Sequence, residues 1–290
     1  MTSTSDSRGL DPARLDELWD FDDVAASERR LRDAVDDAPS DGTEHAELST
    51  QLARALALRG RYEDARGLLD AVALRGCADP VVGIRVSLER GRVLNSSGNP
   101  AAAVEHFVDA LGAARAAGED FLEVDAAHML AIADGDRSQE WTAQALHVVE
   151  RSADPRTRRW AGSLHNNAGW ARHDAGDYAG ALAEFEAASA AYAVHGTVEQ
   201  VRVARWAVAR ALRSLARFEE ALEIQLRLAA HRPSDGYVEE ELAELMLATG
   251  RPDEATRHAA AAVQLLGGDS AFAEYESGRL DRLRQIARNG

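Results

Sequence analysis

Residues 163–188 read SLHNNAGWARHDAGDYAGALAEFEAA. Two stretches of helical periodicity flank a glycine, the pattern of two helices joined by a very short turn. Gly176 stands where the first helix must stop, because glycine enters the left-handed backbone region without the steric cost other residues meet. Tyr178 is expected to fill the gap between the two helices, and the small Ala181 to let them approach closely. Leu182 and Phe185 then recur on one face at helical spacing.

The same order of residues returns on both sides of this segment. It appears as Gly60-Arg-Tyr62-Glu-Asp-Ala65, Gly98-Asn-Pro100-Ala-Ala-Ala103 and Gly250-Arg-Pro252-Asp-Glu-Ala255, and as Ala216-Arg-Phe218-Glu-Glu-Ala221 with alanine in place of glycine. Proline suits the first turn of the second helix, where no amide hydrogen is needed. The first members lie 98 − 60 = 38, 176 − 98 = 78, 216 − 176 = 40 and 250 − 216 = 34 residues apart. The gap of 78 is two periods, so residues 128–150 must hold a degenerate unit. A period of this size marks helix pairs that each bury a face only by stacking on their neighbours.

In this order Gly169, Gly176, Tyr178, Ala181, Phe185 and Ala188 resemble the signature of the tetratricopeptide repeat family. Most of the periods exceed the ~34 residues usual there, and are similar to the longer-helix repeats of kinesin light chains and bacterial peptide sensors. The resemblance covers about residues 44–265. It implies an all-α, right-handed superhelical solenoid of antiparallel helix pairs, with about six repeats and terminal capping helices. The division read from the chain is an acidic N-terminal cap over 1–43, a repeat array over 44–268 and a C-terminal capping helix over 269–290. Residues 10–38 read as a helix pair broken near Trp19–Asp23, and 39–42 as a turn. In the last helix Tyr275, Leu280, Leu283 and Ile286 form the expected buried stripe.

Composition narrows the chemistry. All 33 basic residues are arginine, read as codon bias in a GC-rich genome, and without lysine no phosphate-loop lysine or Schiff base is possible. Cys77 is the single cysteine, which excludes a disulfide framework within the chain and fits a reducing compartment. The polar, acidic N-terminus reads as neither a signal peptide nor a membrane anchor, and a cytoplasmic location is expected. The net charge of −16 argues against nucleic acid. The charge is uneven: residues 1–50 hold 14 acids and 5 arginines, whereas 156–217 hold 9 arginines and 5 acids. Metalloprotease, nucleophile-elbow and dinucleotide-binding motifs are absent from the sequence. Asp134-Gly-Asp136 resembles the start of a calcium loop but lacks its closing glutamate.

In the geometry the resemblance implies, the first helix of each pair lines the groove, and residues spaced four and three apart share a narrow arc. That places Asn166, Trp170 and His173 from one pair, Trp206, Arg210 and Arg213 from the next, and Glu240 and Glu244 from the last, with Tyr237 at the rim. Asn167 matches an asparagine that peptide-binding relatives use to hold a peptide backbone. Tryptophans are large contact surfaces with few rotors, and arginines present a planar fork to a carboxylate. The expected function is a non-catalytic, cofactor-free adaptor holding a protein or peptide, with an acidic or C-terminal carboxylate group a candidate feature of that partner. A second reading is a sensor answering to a ligand or signal peptide. A third is a metal-dependent enzyme built on Asp125, His128, His165 and His173.

Overall fold

A computed structural model describes residues 9–76, 78–231 and 235–288, and Cys77 lies outside them. The described residues form helices and turns with no strand. None of these helices is long and apolar enough to cross a membrane. Two compact units divide the chain, Met1–Trp160 and Ala161–Gly290, so the division falls inside the expected repeat array.

Unit 1 opens with α1 (Pro12–Leu18) and α2 (Val24–Asp37), then α3 (Thr43–Leu58) with α4 (Tyr62–Arg75), and α5 (Pro80–Ser96) with α6 (Pro100–Ala117). The degenerate unit follows as α7 (Asp120–Ala133) and α8 (Ser138–Arg151), joined by a 3₁₀ turn over Gly135–Arg137, and α9 (Pro155–Arg158) closes the unit. Unit 2 holds the pairs α10 (Trp160–Asp174) with α11 (Tyr178–His195), α12 (Val198–Ser214) with α13 (Phe218–His231), and α14 (Gly236–Ala248) with α15 (Pro252–Leu266). Its end is α16 (Ser270–Tyr275) and α17 (Ser277–Arg288). The fold is thus a run of tetratricopeptide-like antiparallel helix pairs with terminal caps.

The recurring hairpin has one construction. Gly60, Gly98, Gly176 and Gly250 all take positive φ. The following residue then donates its amide back to the carbonyl five positions earlier: Arg61 to Leu56, Asn99 to Leu94, Asp177 to Arg172 and Arg251 to Met246, at 2.8–2.9 Å. This closes the orphan carbonyls of the first helix. Where alanine replaces glycine the turn is the same, with Ala216 at φ 58° and Arg217 donating to Leu212 at 2.9 Å. The second helix starts at once, with Pro100 and Pro252 in the first turn and Asn99 and Asp177 capping it by side chain.

The signature alanines Ala65, Ala103, Ala181, Ala221 and Ala255 are all completely buried. In two pairs the helices close further on a glycine. A Cβ on Gly91 would lie 2.4 Å from the nearest ring carbon of Phe107, and one on Gly169 2.4 Å from that of Phe185, both too close to be tolerated and both phenylalanines being fully buried. The two pairs are offset by 169 − 91 = 78 and 185 − 107 = 78, the same double period as the turn glycines.

Two expected positions differ. Tyr178 is 37% exposed, lying at the rim of its hairpin against His173 rather than between the helices. Tyr275 is 79% exposed, because the expected single C-terminal helix breaks at Glu276 and only Leu280, Leu283 and Ile286 beyond the break turn inward. Two substitutions test the hairpin. Gly169→Ala is expected to destabilise the protein by about 2 kcal/mol through overpacking. Ala216→Gly is expected to raise stability by about 0.5 kcal/mol, the relief of left-handed strain exceeding the added entropy of the unfolded chain. Equilibrium urea unfolding measures both.

Candidate functional site

The first helices of the unit 2 pairs bring three of the expected aromatic residues into a row. The ring of Trp170 on α10 lies 5.9 Å from that of Trp206 on α12, and Trp206 lies 6.1 Å from Tyr237 on α14. Phe272 of α16 extends the row at 5.7 Å. Trp206 is fixed by its indole Nε1–H, which donates to the carbonyl of Tyr237 at 3.1 Å, and Trp170 sits edge-on to Phe185 at 5.0 Å. Phe272 is buried, Trp170 and Trp206 are half-buried, and Tyr237 is 42% exposed. The row therefore offers aromatic surface on a rigid footing rather than a sealed core.

His173 meets Trp170 edge-on at 5.5 Å, with Nε2 2.9 Å from the Ser214 hydroxyl. Burial, and next the positive charge of Arg210, hold its pKa below the ordinary value, so the imidazole is neutral at pH 7. Asn167 is exposed, while Asn166 is half-buried with an Oδ1 that finds no hydrogen-bond partner.

The charged residues arrange themselves differently from the pattern read in the sequence. Arg210 donates to Glu241 Oε1 at 2.5 Å, and Arg213 donates to Oε2 at 2.7 Å and Oε1 at 3.0 Å. Glu241 is completely buried and is the residue that the arc of groove positions leaves out. Glu240 is buried and takes a bidentate contact from Arg279, while Glu244 takes Arg282 at 3.1 Å. Neither acid stands open to the face. Three successive glutamates point three ways: Glu239 to His258 of α15 at 2.6 Å, Glu240 to α17 and Glu241 to α12. A turn of about 100° per residue makes each meet a different neighbour. Burial pushes the Glu241 carboxyl up, but the hydrogen bonds and charges of Arg213 and Arg210 outweigh it and hold the pKa below its ordinary value.

The residues of the metal reading acquire separate partners. In unit 1, Asp125 accepts from Arg92 at 2.5 Å, Arg92 also donates to Glu89, and the His128 ring packs 5.1 Å from Trp160. In unit 2, His165 Nδ1 lies 2.8 Å from Glu184. Among the described residues no group of three or more His, Cys, Asp and Glu side chains is placed to share an ion. Asp134, the first acid of the calcium-like run, accepts from the Trp141 indole at 3.0 Å.

No protein-family model matches the chain, and no curated protein matches it. Solved structures do. BtubC from P. vanneervenii is 17% identical with a TM-score of 0.57, covering 74% of this chain and 90% of its own. A signal transduction ATPase with numerous domains from Pyrococcus horikoshii, described as carrying a tetratricopeptide repeat sensor, is 13% identical with a TM-score of 0.60. That match covers 96% of this chain but 40% of the ATPase. NprR in complex with its cognate peptide NprX is 13% identical with a TM-score of 0.51, covering 96% of this chain and 85% of its own. At these identities the likeness is one of fold.

Glu241 supplies the prediction. Removing its charge leaves two half-buried guanidinium groups unpaired, so Glu241→Gln is expected to cost about 3 kcal/mol in chemical unfolding. The folded pKa lies below the ordinary 4.5, so the stabilisation is fully present above that pH and is lost as pH falls below it. The variant is therefore expected to lose stability less steeply than the wild type below pH 4.5.

Proposed function

We propose that the chain is a binding protein without catalytic activity, holding a peptide or a segment of a partner protein on the aromatic face of unit 2. The observation that carries this reading is the row Trp170, Trp206 and Tyr237, which stays partly exposed on three adjacent helices. Half-exposed aromatic rings held in register contribute large contact area at small entropic cost on binding. The occupant is a segment with apolar or aromatic side chains laid across α10, α12 and α14, its backbone amides within reach of Asn167. Arg210, Arg213 and Glu241 together carry one net positive charge beside the row, which favours an acidic group in the bound segment. The peptide held by NprR and the sensor role named for the repeat part of the Pyrococcus ATPase support this class of occupant. A sensor would differ from an adaptor in one respect only: occupancy would alter a second contact.

Peptide display against the purified protein tests the proposal. The wild type is expected to enrich a family of sequences, and Tyr237→Ala and Trp206→Ala to weaken the best of them by about 2 kcal/mol, roughly 30-fold. Tyr237→Ala is the cleaner variant, since its ring is the more exposed. Undiminished binding by both folded variants, or stoichiometric zinc or iron in the purified protein, would count against the reading.

A further inference from the structure

Among the described residues the second helices of the hairpins are tied to their neighbours by polar side chains, and α13 is not. Asp70 of α4 holds Arg90 of α5 at 2.6 Å, while Arg115 of α6 and Arg151 of α8 reach Glu123 of α7 at 2.9 and 2.8 Å. Glu184 of α11 meets His165 of α10 at 2.8 Å, and His258 of α15 meets Glu239 of α14 at 2.6 Å. On α13 the side-chain bonds stay local. Arg227 donates to Glu223, His231 Nδ1 lies 2.7 Å from the Arg227 carbonyl, and Glu220 accepts from Arg217 of the preceding turn. No hydrogen bond or ion pair runs from α13 to a side chain of another described helix.

The apolar contact of α13 is compromised as well. Its neighbours α11 and α15 bury only apolar residues, Ala181, Leu182, Phe185 and Ala188 on one and Ala255, Ala259, Ala262 and Leu266 on the other. The buried set of α13 is Ala221, Gln225 and Leu228. Gln225 stands at the place held by Leu69, Phe107, Phe185 and Ala259 in other hairpins, seven residues after Tyr62, Pro100, Tyr178 and Pro252 as Gln225 is after Phe218. It has no exposed surface, and neither Nε2 nor Oε1 finds a hydrogen-bond partner. An amide there is disfavoured against an apolar group of the same size. The turn into α13 carries a further cost, because Ala216 is the one non-glycine residue with positive φ among the described residues. Strain, a buried amide and missing ties therefore fall on the same helix.

We propose that α13 is a hinged outer helix of unit 2, which opens by itself at Ala216 and Arg217 and is held closed when the aromatic row is occupied. Its partner α12 stays in place, because Arg202 is paired with Asp235 at the start of α14, and Arg210 and Arg213 with Glu241. A helix with so few ties opens at a lower free energy than the whole unit. The link to the row runs through the core. Trp206 of α12 and Leu222 and Ile224 of α13 pack on the same buried residues. An occupant that fixes Trp206 therefore binds better to the closed state, and shifts the equilibrium towards it. This link rests on the binding reading above, whereas the opening itself does not.

Amide hydrogen exchange of the full chain, read helix by helix, tests the proposal. Backbone amides of α13 are expected to exchange about tenfold faster, or more, than those of α11, α12 and α15. Gln225→Leu restores an apolar residue at the buried place. It reproduces the pair Ala53 and Leu69, because Ala209 precedes Gln225 by the same 16 residues, and Ala53, Leu69 and Ala209 are all buried. That variant is expected to slow exchange in α13 by about tenfold and to leave α11 and α15 within about twofold. Ala216→Gly acts on the turn without touching the buried place and is expected to slow α13 by about twofold, which keeps the proposal falsifiable if Gln225→Leu misfolds. Exchange in α13 as slow as in α12, or left unchanged or hastened by both substitutions, would overturn the proposal. Saturation with the display-selected peptide is expected to slow α13 by about threefold or more in the wild type. Unchanged α13 exchange at saturation would overturn the link to the row. Failure of display to enrich any sequence would count against the binding reading instead, and exchange in the free chain still decides whether α13 opens.

Discussion

Everything in this molecule depends on how closely two antiparallel helices can approach inside one hairpin. The contact admits little beyond a methyl group, and the signature alanines there have no exposed surface at all. At Gly91 and Gly169 even a methyl group is too large, because a phenylalanine ring from the partner helix occupies that space. The left-handed turn follows from the same demand. A reversal of so few residues leaves the end carbonyls of the first helix to be closed by the amides of the turn itself.

Between hairpins the contacts are of another kind. Arginine–carboxylate pairs bridge from one first helix to the next, Arg92 to Asp125 and Arg210 and Arg213 to Glu241, and from the terminal helix α17 to α14, Arg279 to Glu240. Buried pairs of this sort contribute little net stability, yet losing one partner is costly. Their effect is to set which faces meet. With Glu240 and Glu241 drawn between helices, the surface left beside them in unit 2 is aromatic.

Legibility in the sequence tracked the origin of each constraint. Gly60, Gly98, Gly176, Gly250 and even Ala216 were readable because a backbone reversal imposes a residue type at a fixed place. The alignment of Trp170 with Trp206 and Tyr237 was readable for the same reason, since helical spacing carries it from the hairpin. Partners in charge were not. Nothing local separates Glu239, Glu240 and Glu241, and only the neighbours they meet decide which one is buried with two arginines. Tyr275 failed similarly: its spacing fitted the stripe of α17, but the break at Glu276 lies between them.

The central claim is that the aromatic face of unit 2 is where a partner lies. Hydroxyl-radical footprinting, read residue by residue with and without a display-selected peptide, addresses it directly. The account predicts that oxidation of Trp206 and Tyr237 falls on binding while Tyr275, exposed at the end of α16, is unchanged. Protection of Tyr275 with Trp206 and Tyr237 unaffected would contradict it.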